Sequence, residues 1–492
     1  MKFKVKVLPL RSEKFCVLMN SEDSRDLGIL PGDRVKVVKG KKSFVAEVEI
    51  ADFVNKGEIG VCSFTAESCK VDECVVEVYP ITRYESVEYI RKKLDGFRYT
   101  REQIRRIILD LASNVLSDVE LSAFVLANEI LGMDTDEIGW FTEALVETGE
   151  KLTFEKGTVV NTHSIGGVPG NRYSMVTVPV LASSGLIIPK TASRAITSAS
   201  GTADTMEVLA NVNLSVDEIK EICEKVNGVI ALSAKISPVD EKIIRMEHQL
   251  EISPKPNLVA SLSAKIVGSG AKFVTVDLPV GAKINNVDDA RILSLNFIEI
   301  GRRFGVEVGT VISDGSQPLC KAVGPALEAK EVLKAFEEKK FEDFVVKGIE
   351  IASILMEFSG IASNGYEMAR NIFESGKAHE KFLQIIEAQG GEILRSEDVP
   401  IGDKKYTITS KKEGYVQKID VKAINAIARA AGAPKDKGAG VYLHKKKGDV
   451  VKRGDPIITI YSEKDWKLDS ALEIASEKKI VEISGVVLET RW

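Results

Sequence analysis

The chain has 492 residues, a formal net charge of −5 and 28% charged residues. That length exceeds a single hydrophobic core, so three or four domains are expected, and the slightly acidic balance lacks the basic excess by which nucleic acid is bound. No apolar run reaches the length of a membrane span, and the alternating opening Met1-Lys2-Phe3-Lys4-Val5-Lys6-Val7 reads as a strand, so a cytoplasmic protein with no membrane partner is expected.

Residues 1 to 84 predict a β-rich domain, a small barrel. Lys4 to Leu8, Phe15 to Met19, Arg34 to Val38, Phe44 to Ile50 and Cys74 to Val78 alternate or cluster β-formers, and Leu30-Pro31-Gly32-Asp33 supplies a turn. Over residues 85 to 157 the period changes to that of a helical lobe. Ile90, Leu94, Ile104, Ile107, Ile108, Leu111, Leu116, Val125, Leu126, Ile130 and Leu131 recur at helical intervals, and Thr100-Arg101-Glu102-Gln103 reads as a capping box. A later helical segment near 215 to 255 is assigned to the same lobe. From 158 to 400 strands and helices alternate, which predicts an α/β domain with much parallel pairing and ligands at the carboxyl ends of its strands. Residues 401 to 492 read as an α+β module, with a strand at Gly414-Tyr415-Val416, a helix from Ala423 to Ala431 and a strand from Asp455 to Tyr461. The six cysteines (Cys16, Cys62, Cys69, Cys74, Cys223, Cys320) form no CxxC, so reduced thiols and no zinc site are expected.

Two loops carry the chemistry. Thr162-His163-Ser164-Ile165-Gly166-Gly167-Val168-Pro169-Gly170-Asn171-Arg172 follows the β-branched segment Thr158 to Asn161. Ser193-Arg194-Ala195-Ile196-Thr197-Ser198-Ala199-Ser200-Gly201-Thr202-Ala203-Asp204 follows Leu186 to Pro189. Backbone N–H groups at a helix start favour anions, small residues allow close approach, and hydroxyls with an arginine complete a phosphate cradle. Two cradles in succession imply two phosphate groups. In the first, His163 is a candidate because of its place in the loop, although a lone histidine is more often structural. In the second, six hydroxyl residues from Thr191 to Thr202 exceed what a turn requires. Asp204 and Glu207 are read as pinning that loop. Ser261 and Lys265 lie four apart on one helix face, and Lys283 follows the strand Val274 to Leu278; either lysine can neutralise a phosphate as a point charge.

The pattern Ser-Arg-Ala-x5-Gly-Thr-x-Asp-x-x-Glu, here Ser193 to Glu207, resembles the signature of the thymidine and pyrimidine-nucleoside phosphorylase family, and His163-Ser164-x-Gly166-Gly167 resembles its first phosphate loop. The likeness spans about 84 to 492: Tyr89 to Gly96 resembles the family's opening helix and Glu413 to Val416 the start of its last domain. The added N-terminal barrel, and Thr162 before His163 where relatives carry lysine, make the chain more similar to the archaeal AMP phosphorylases. That branch converts a nucleoside 5′-monophosphate and phosphate into free base and ribose 1,5-bisphosphate. Beside Lys265, a substrate-binding candidate from its spacing to Ser261, the resemblance implies substrate-binding positions at Gly167, Ser193, Arg194, Ala195, Ile196, Thr197, Ser198, Thr202, Ser261 and Lys283. It implies phosphate on Ser164, Ser174 and Thr202, no cofactor or metal beside phosphate as co-substrate, and a homodimer or larger assembly built through the helical lobe. AMP is the expected substrate, with CMP and UMP to be compared.

Pyrimidine-specific relatives hold the base with an arginine between a Pro-x-Asp turn and the Ser-x-x-x-Lys pair. Counting forward from Pro238-Val239-Asp240 reaches Glu247 and counting back from Ser261 reaches Met246, which weakens a pyrimidine-only specificity. The family's proton-donating aspartate stands eight residues before the conserved serine, where this chain has Ser253 followed by Pro254. Serine is a poor general acid at neutral pH. Glu251 and Glu247 are the nearest carboxylates and His163 is the histidine of the phosphate loop, so three readings stand: a shifted acid, weakened activity, or protonation by water. Two other functions stay open, a phosphorylase of thymidine or uridine and a nucleotide-binding protein with impaired catalysis. In the favoured reading phosphate attacks C1′, the 5′-phosphate binds Ser193, Arg194, Thr197, Ser198 and Lys283, and closure of the helical lobe over the α/β core excludes water.

Overall fold

The computed structural model describes residues 1–10, 12, 15–81, 84–195, 198–233 and 235–485. The chain divides into two units, Met1–Met133 and Asp134–Trp492. The first opens with β1 (Lys2–Leu8), β2 (Cys16–Met19), α1 (Ser21–Leu27), β3 (Arg34–Lys39), β4 (Lys42–Ile50), β5 (Glu58–Cys62), α2 (Ser63–Cys69) and β6 (Val75–Pro80). The strands form a closed barrel in the order β1-β5-β2-β4-β3-β6, completed by the antiparallel pairing of β6 with β1. Period-2 alternation drives this closure: Phe3, Val5, Val17, Met19, Val35, Val37, Ile59, Val76 and Val78 all point into one core. Strand β5 and the two short helices are additions to the elements read from sequence. β5 contains Gly60, where a Cβ would lie 2.6 Å from Leu8 Cδ1 and 3.2 Å from Leu18 Cβ, so any other residue there would push these side chains aside.

Three helices follow in this unit, α3 (Glu85–Leu94), α4 (Arg101–Ala112) and α5 (Asp118–Leu131). Thr100 and Gln103 form the expected capping box on α4, and Ser117 with Glu120 forms another on α5. Glu120 also pairs with Arg34 at 2.7 Å, which ties α5 to the barrel. Leu94, Leu126, Ile130 and Leu131, counted in the apolar pattern of the lobe, are exposed instead of buried.

The second unit begins with α6 (Thr135–Thr148), β7 (Val160–Ser164), α7 (Ser174–Ser183), β8 (Ile188–Ala192), α8 (Thr202–Met206), α9 (Val216–Val226), β9 (Gly228–Leu232), α10 (Pro238–Gln249), α11 (Lys255–Gly268) and β10 (Phe273–Val280). It continues through α12 (Val287–Arg303), β11 (Glu307–Asp314), β12 (Ala322–Val323), α13 (Pro325–Glu337), α14 (Asp343–Phe358), α15 (Gly365–Glu374) and α16 (Lys377–Ala388). β11, β10 and β7 pair in parallel, as do β8 and β9, and a parallel bridge between Val159 and Ile187 joins the two groups. After β7 the chain moves to β8 on one side, then returns to β10 on the other. The carboxyl end of β7 is thus a topological switch point, where a crevice opens in such sheets. Of the segment near 215 to 255, α9 packs on β8, β9 and α16 in the α/β core, whereas α10, like α11 after it, packs on α6.

The remaining elements are β13 (Lys404–Thr409), β14 (Gly414–Ile419), α17 (Val421–Ala430), β15 (Gly440–Leu443), β16 (Val450–Val451), β17 (Pro456–Ser462), α18 (Asp465–Glu477) and β18 (Val481–Ser484). They make two antiparallel sheets, β12-β15-β17-β13 and β16-β14-β18, around a core that includes Val416, Ile424, Ile427, Val441 and Ile458. Among the described residues no helix is long and apolar enough to cross a membrane.

Candidate active site

At the switch point two cavities adjoin, of about 170 and 120 Å³, sharing Ser164, Ile165, Ser193, Leu262, Lys265 and Lys283 in their walls. The loop after β7 supplies one wall. Gly166 and Gly167 both take left-handed backbone (φ 77° and 93°), and a Cβ on Gly167 would stand 2.9 Å from Lys283 Cγ. Glycine is needed there because other residues pay about 1–2 kcal/mol for that conformation before any clash.

Ser164 does not hang free. Its hydroxyl donates to Asp277 Oδ2 at 2.8 Å, and the same oxygen takes Lys347 Nζ at 2.8 Å and Asn171 Nδ2 at 3.2 Å, while Ser313 donates to Oδ1 at 2.6 Å. To donate to an anion, Ser164 would have to exchange its hydrogen bond to Asp277. Ser174 and Thr202 bring their hydroxyl oxygens to 3.4 Å from each other, and Arg172 holds Thr202 from Nη1 at 3.0 Å. Arg172 is itself buried, its Nε 2.7 Å from Glu328, so it is a fixed strut instead of a solvated side chain. Burial raises the Glu328 pKa and Arg172 opposes that rise.

His163 lies inside β7, buried, with Nε2 lacking a hydrogen-bond partner among the described residues. Burial, then the charges of Lys190 and Lys265, hold its pKa well below the ordinary value. That direction favours the neutral imidazole, which has no imidazolium proton to give. Lys190, overlooked in the sequence, lines the larger cavity and donates to Thr191 O at 2.6 Å. Burial and the neighbouring Lys265 bring its pKa down to about 7. A lysine directly after the apolar run Leu186 to Pro189 was the available signal.

The second loop is pinned much as its acids suggest. Asp204 accepts from Ala195 N at 2.7 Å and Gly201 N at 2.9 Å. Glu207 takes both Arg194 amino groups at 2.7 and 2.6 Å, and Lys437 as well. Arg194, followed by Lys437, brings the Glu207 pKa down to about 2. Arg194, expected on the 5′-phosphate, is engaged in this ion pair, and the Ala195 N–H is likewise occupied. Ser193 and Ser198 line the larger cavity. Ile196 and Thr197 lie outside the described residues. From α17, Asn425 accepts from Ala199 N at 3.1 Å and Arg429 reaches Ser198 O at 3.5 Å.

Lys265 pairs with the buried Asp240 at 2.6 Å and lies 3.4 Å from Ser261 Oγ. Its charge is thereby matched within the protein, and Lys283 is the lysine of the two that forms no ion pair among the described residues. Ser253 and Glu251 are both exposed, and Glu251 follows the end of α10 in left-handed backbone (φ 54°). Ser253 lines the smaller cavity, as does Glu247, whereas Glu251 faces a wide outer cleft together with Gly167 and Lys283.

Family models agree with this arrangement. Residues 87–149 match the glycosyl transferase family helical bundle domain, 156–378 the a/b domain of the same family, and 415–482 the pyrimidine nucleoside phosphorylase C-terminal domain. Anthranilate phosphoribosyltransferase from Thermus thermophilus shares the fold with a TM-score of 0.52 at 15% identity, over 62% of this chain and 99% of that one. Similarity to curated proteins is much higher. AMP phosphorylase 2 of Archaeoglobus fulgidus is 61% identical over 100% of both chains, and the AMP phosphorylase of Thermococcus sibiricus is 44% identical over 99% of both. AMP phosphorylase of Pyrococcus furiosus is 42% identical over 99% of each. The chain belongs to the AMP phosphorylase family.

Proposed function

We propose that the chain catalyses phosphorolysis of nucleoside 5′-monophosphates, converting AMP and phosphate into adenine and ribose 1,5-bisphosphate. The observation that carries this reading is the pair of joined cavities at the carboxyl ends of β7, β8 and β10, one rimmed by hydroxyls and the other partly apolar. Phosphate sits among Ser164, Ser174 and Thr202 with Lys190 behind, the ribose spans the shared wall, and the base enters the smaller cavity. Lys283, with Ser193 and Ser198, faces the 5′-phosphate.

The barrier is charge separation. As the glycosidic bond lengthens, an oxocarbenium-like sugar lies between the anionic nucleophile and the departing base, and fixed dipoles with proximity supply most of the acceleration. A pyrimidine-nucleoside specificity is not favoured: the two positions counted for the base-holding arginine are occupied by Met246, which is buried, and Glu247. The test is release of free base from AMP, CMP, UMP, adenosine and thymidine with and without phosphate. Phosphate-dependent adenine release from AMP that exceeds the nucleoside reactions supports the reading, and nucleotide binding without base release overturns it.

Self-association is part of the same proposal. Val119, Leu126 and Ile130 form an exposed apolar stripe on one face of α5. Light scattering is expected to report a mass at least twice the 53.7 kDa of the chain. A reducing, cytoplasmic setting fits the six cysteines, none of which is in a disulfide.

A further inference from the structure

The reaction requires a proton for the departing base, and Ser253 cannot supply it. We infer that Glu247 is the general acid, protonating the leaving base from within the smaller cavity; this rests on the phosphorolysis reading above. Ile165, Ile244, Ile252, Leu258 and Leu262 give the cavity apolar walls on which a base can pack, and among the described residues Glu247 is the one carboxylate of its otherwise hydroxyl- and cation-bearing polar lining. Asn257 at the start of α11 donates to Glu247 Oε1 at 2.9 Å, which fixes where the carboxyl points. Glu251, one turn further along the chain, is exposed and turned into the outer cleft.

The surroundings of Glu247 suit the role. Burial, assisted by Asp240 and opposed by Asn257, Lys283 and Lys265, pushes its pKa up to about 7, where a carboxylic acid holds its proton at working pH and still releases it. His248 on the same helix also lines the cavity. The step balances. A phosphate oxygen bonds to C1′ as the C1′–N9 bond breaks, and its electron pair goes into the purine. Glu247 gives its proton to a ring nitrogen of that purine. The proton that hydrogen phosphate loses on becoming the sugar monoester then restores the carboxyl through water.

Glu247→Gln is expected to lower kcat on AMP about 100-fold, the usual contribution of a positioned acid, with the KM for phosphate within threefold of wild type as the check on folding. With N7-methylguanosine 5′-monophosphate, whose base departs without a proton, variant and wild type should agree within threefold. At saturating substrates wild-type kcat should fall as pH rises through about 7 or above, and the variant should lack that limb. Asn257→Leu, which removes a bond that favours the ionised carboxylate, should move the limb to higher pH. Equal losses on both nucleotides, or a basic limb retained in Glu247→Gln and unmoved in Asn257→Leu, would overturn the assignment; the limb decides alone where the methylated nucleotide is not turned over. A wild-type enzyme that releases no adenine from AMP would instead defeat the phosphorolysis reading.

Discussion

Lys347 Nζ lies 2.8 Å from Asp277 Oδ2, the oxygen that also receives the Ser164 hydroxyl at 2.8 Å. The pair sits beneath the glycine-rich loop that follows β7, with Asp277 fully buried on β10 and Lys347 on α14. It sets the direction of Ser164 from below.

Removing one partner of such a pair strands a buried charge, at a cost of about 3–5 kcal/mol. Lys347→Met should lower the melting temperature by several degrees in calorimetry and weaken phosphate binding. The double variant Asp277→Asn with Lys347→Met should recover most of the stability, because both charges are then gone. A single variant that melts with the wild type would show the pair to be dispensable.

Lys190 should make anion binding pH-dependent. With its pKa at about 7 it is mostly neutral near pH 8, and an adjacent divalent anion favours the charged form. Binding should therefore take up a proton near pH 8 and almost none near pH 6. Sulfate, which does not titrate in this range, isolates the protein's contribution. Calorimetric titrations in two buffers of different ionisation enthalpy measure the uptake, and Lys190→Met should lose most of it. Undiminished uptake in that variant would exclude the lysine.

Arg194 and Lys283 are separable. The Arg194 side chain is 47% exposed and bonded to Glu207 and Asp204, a half-exposed pairing worth about 0–1 kcal/mol to stability. Arg194→Ala should raise the KM for AMP and adenosine alike by loosening the loop. Lys283→Ala should penalise AMP over adenosine by about tenfold or more, as expected for a lost charge-assisted hydrogen bond. The reverse pattern in steady-state kinetics would hand the 5′-phosphate back to Arg194.

Gly166 and Gly167 offer an internal control. Both need left-handed backbone, but a Cβ on Gly166 meets open space while one on Gly167 presses on Lys283. Both alanine variants should lose about 1–2 kcal/mol of stability. Gly167→Ala should in addition raise the KM for AMP, and equal kinetic effects from the two would show that Lys283 is not displaced.

Much of the candidate site is legible because residues suited to holding an anion crowd together locally. Glycines and hydroxyls crowded between a strand and a helix mark an anion loop whatever the remaining fold, and both loops stand at strand ends as their spacing implies. Groups whose role depends on partners distant in sequence were not legible. Arg172 and Glu328 meet across 156 residues, and Asp277 with Lys347 across 70, so neither pair leaves a local pattern. His163 shows the converse: its position beside the loop suggests chemistry, whereas its burial in β7, which favours the neutral ring, follows from the fold. Glu247 was distinguished from Glu251 only by which cavity each faces, a property of how α10 ends. In the barrel, β5 escaped notice because Gly60 breaks its alternation, although that glycine is what lets Leu8 and Leu18 close over it.

The nucleotide loop hangs from α17 and Lys437 through Asn425, Arg429 and the Glu207 ion pair, while the two small cavities draw their lining from residues 163 to 283 alone. The last hundred residues thus work as a latch on two cavities they do not line, while α17 walls the outer cleft that Gly167 and Lys283 face. Partial melting of that terminal fold would silence turnover while the parallel sheet still stood, so loss of activity on heating would precede loss of the bulk helix signal.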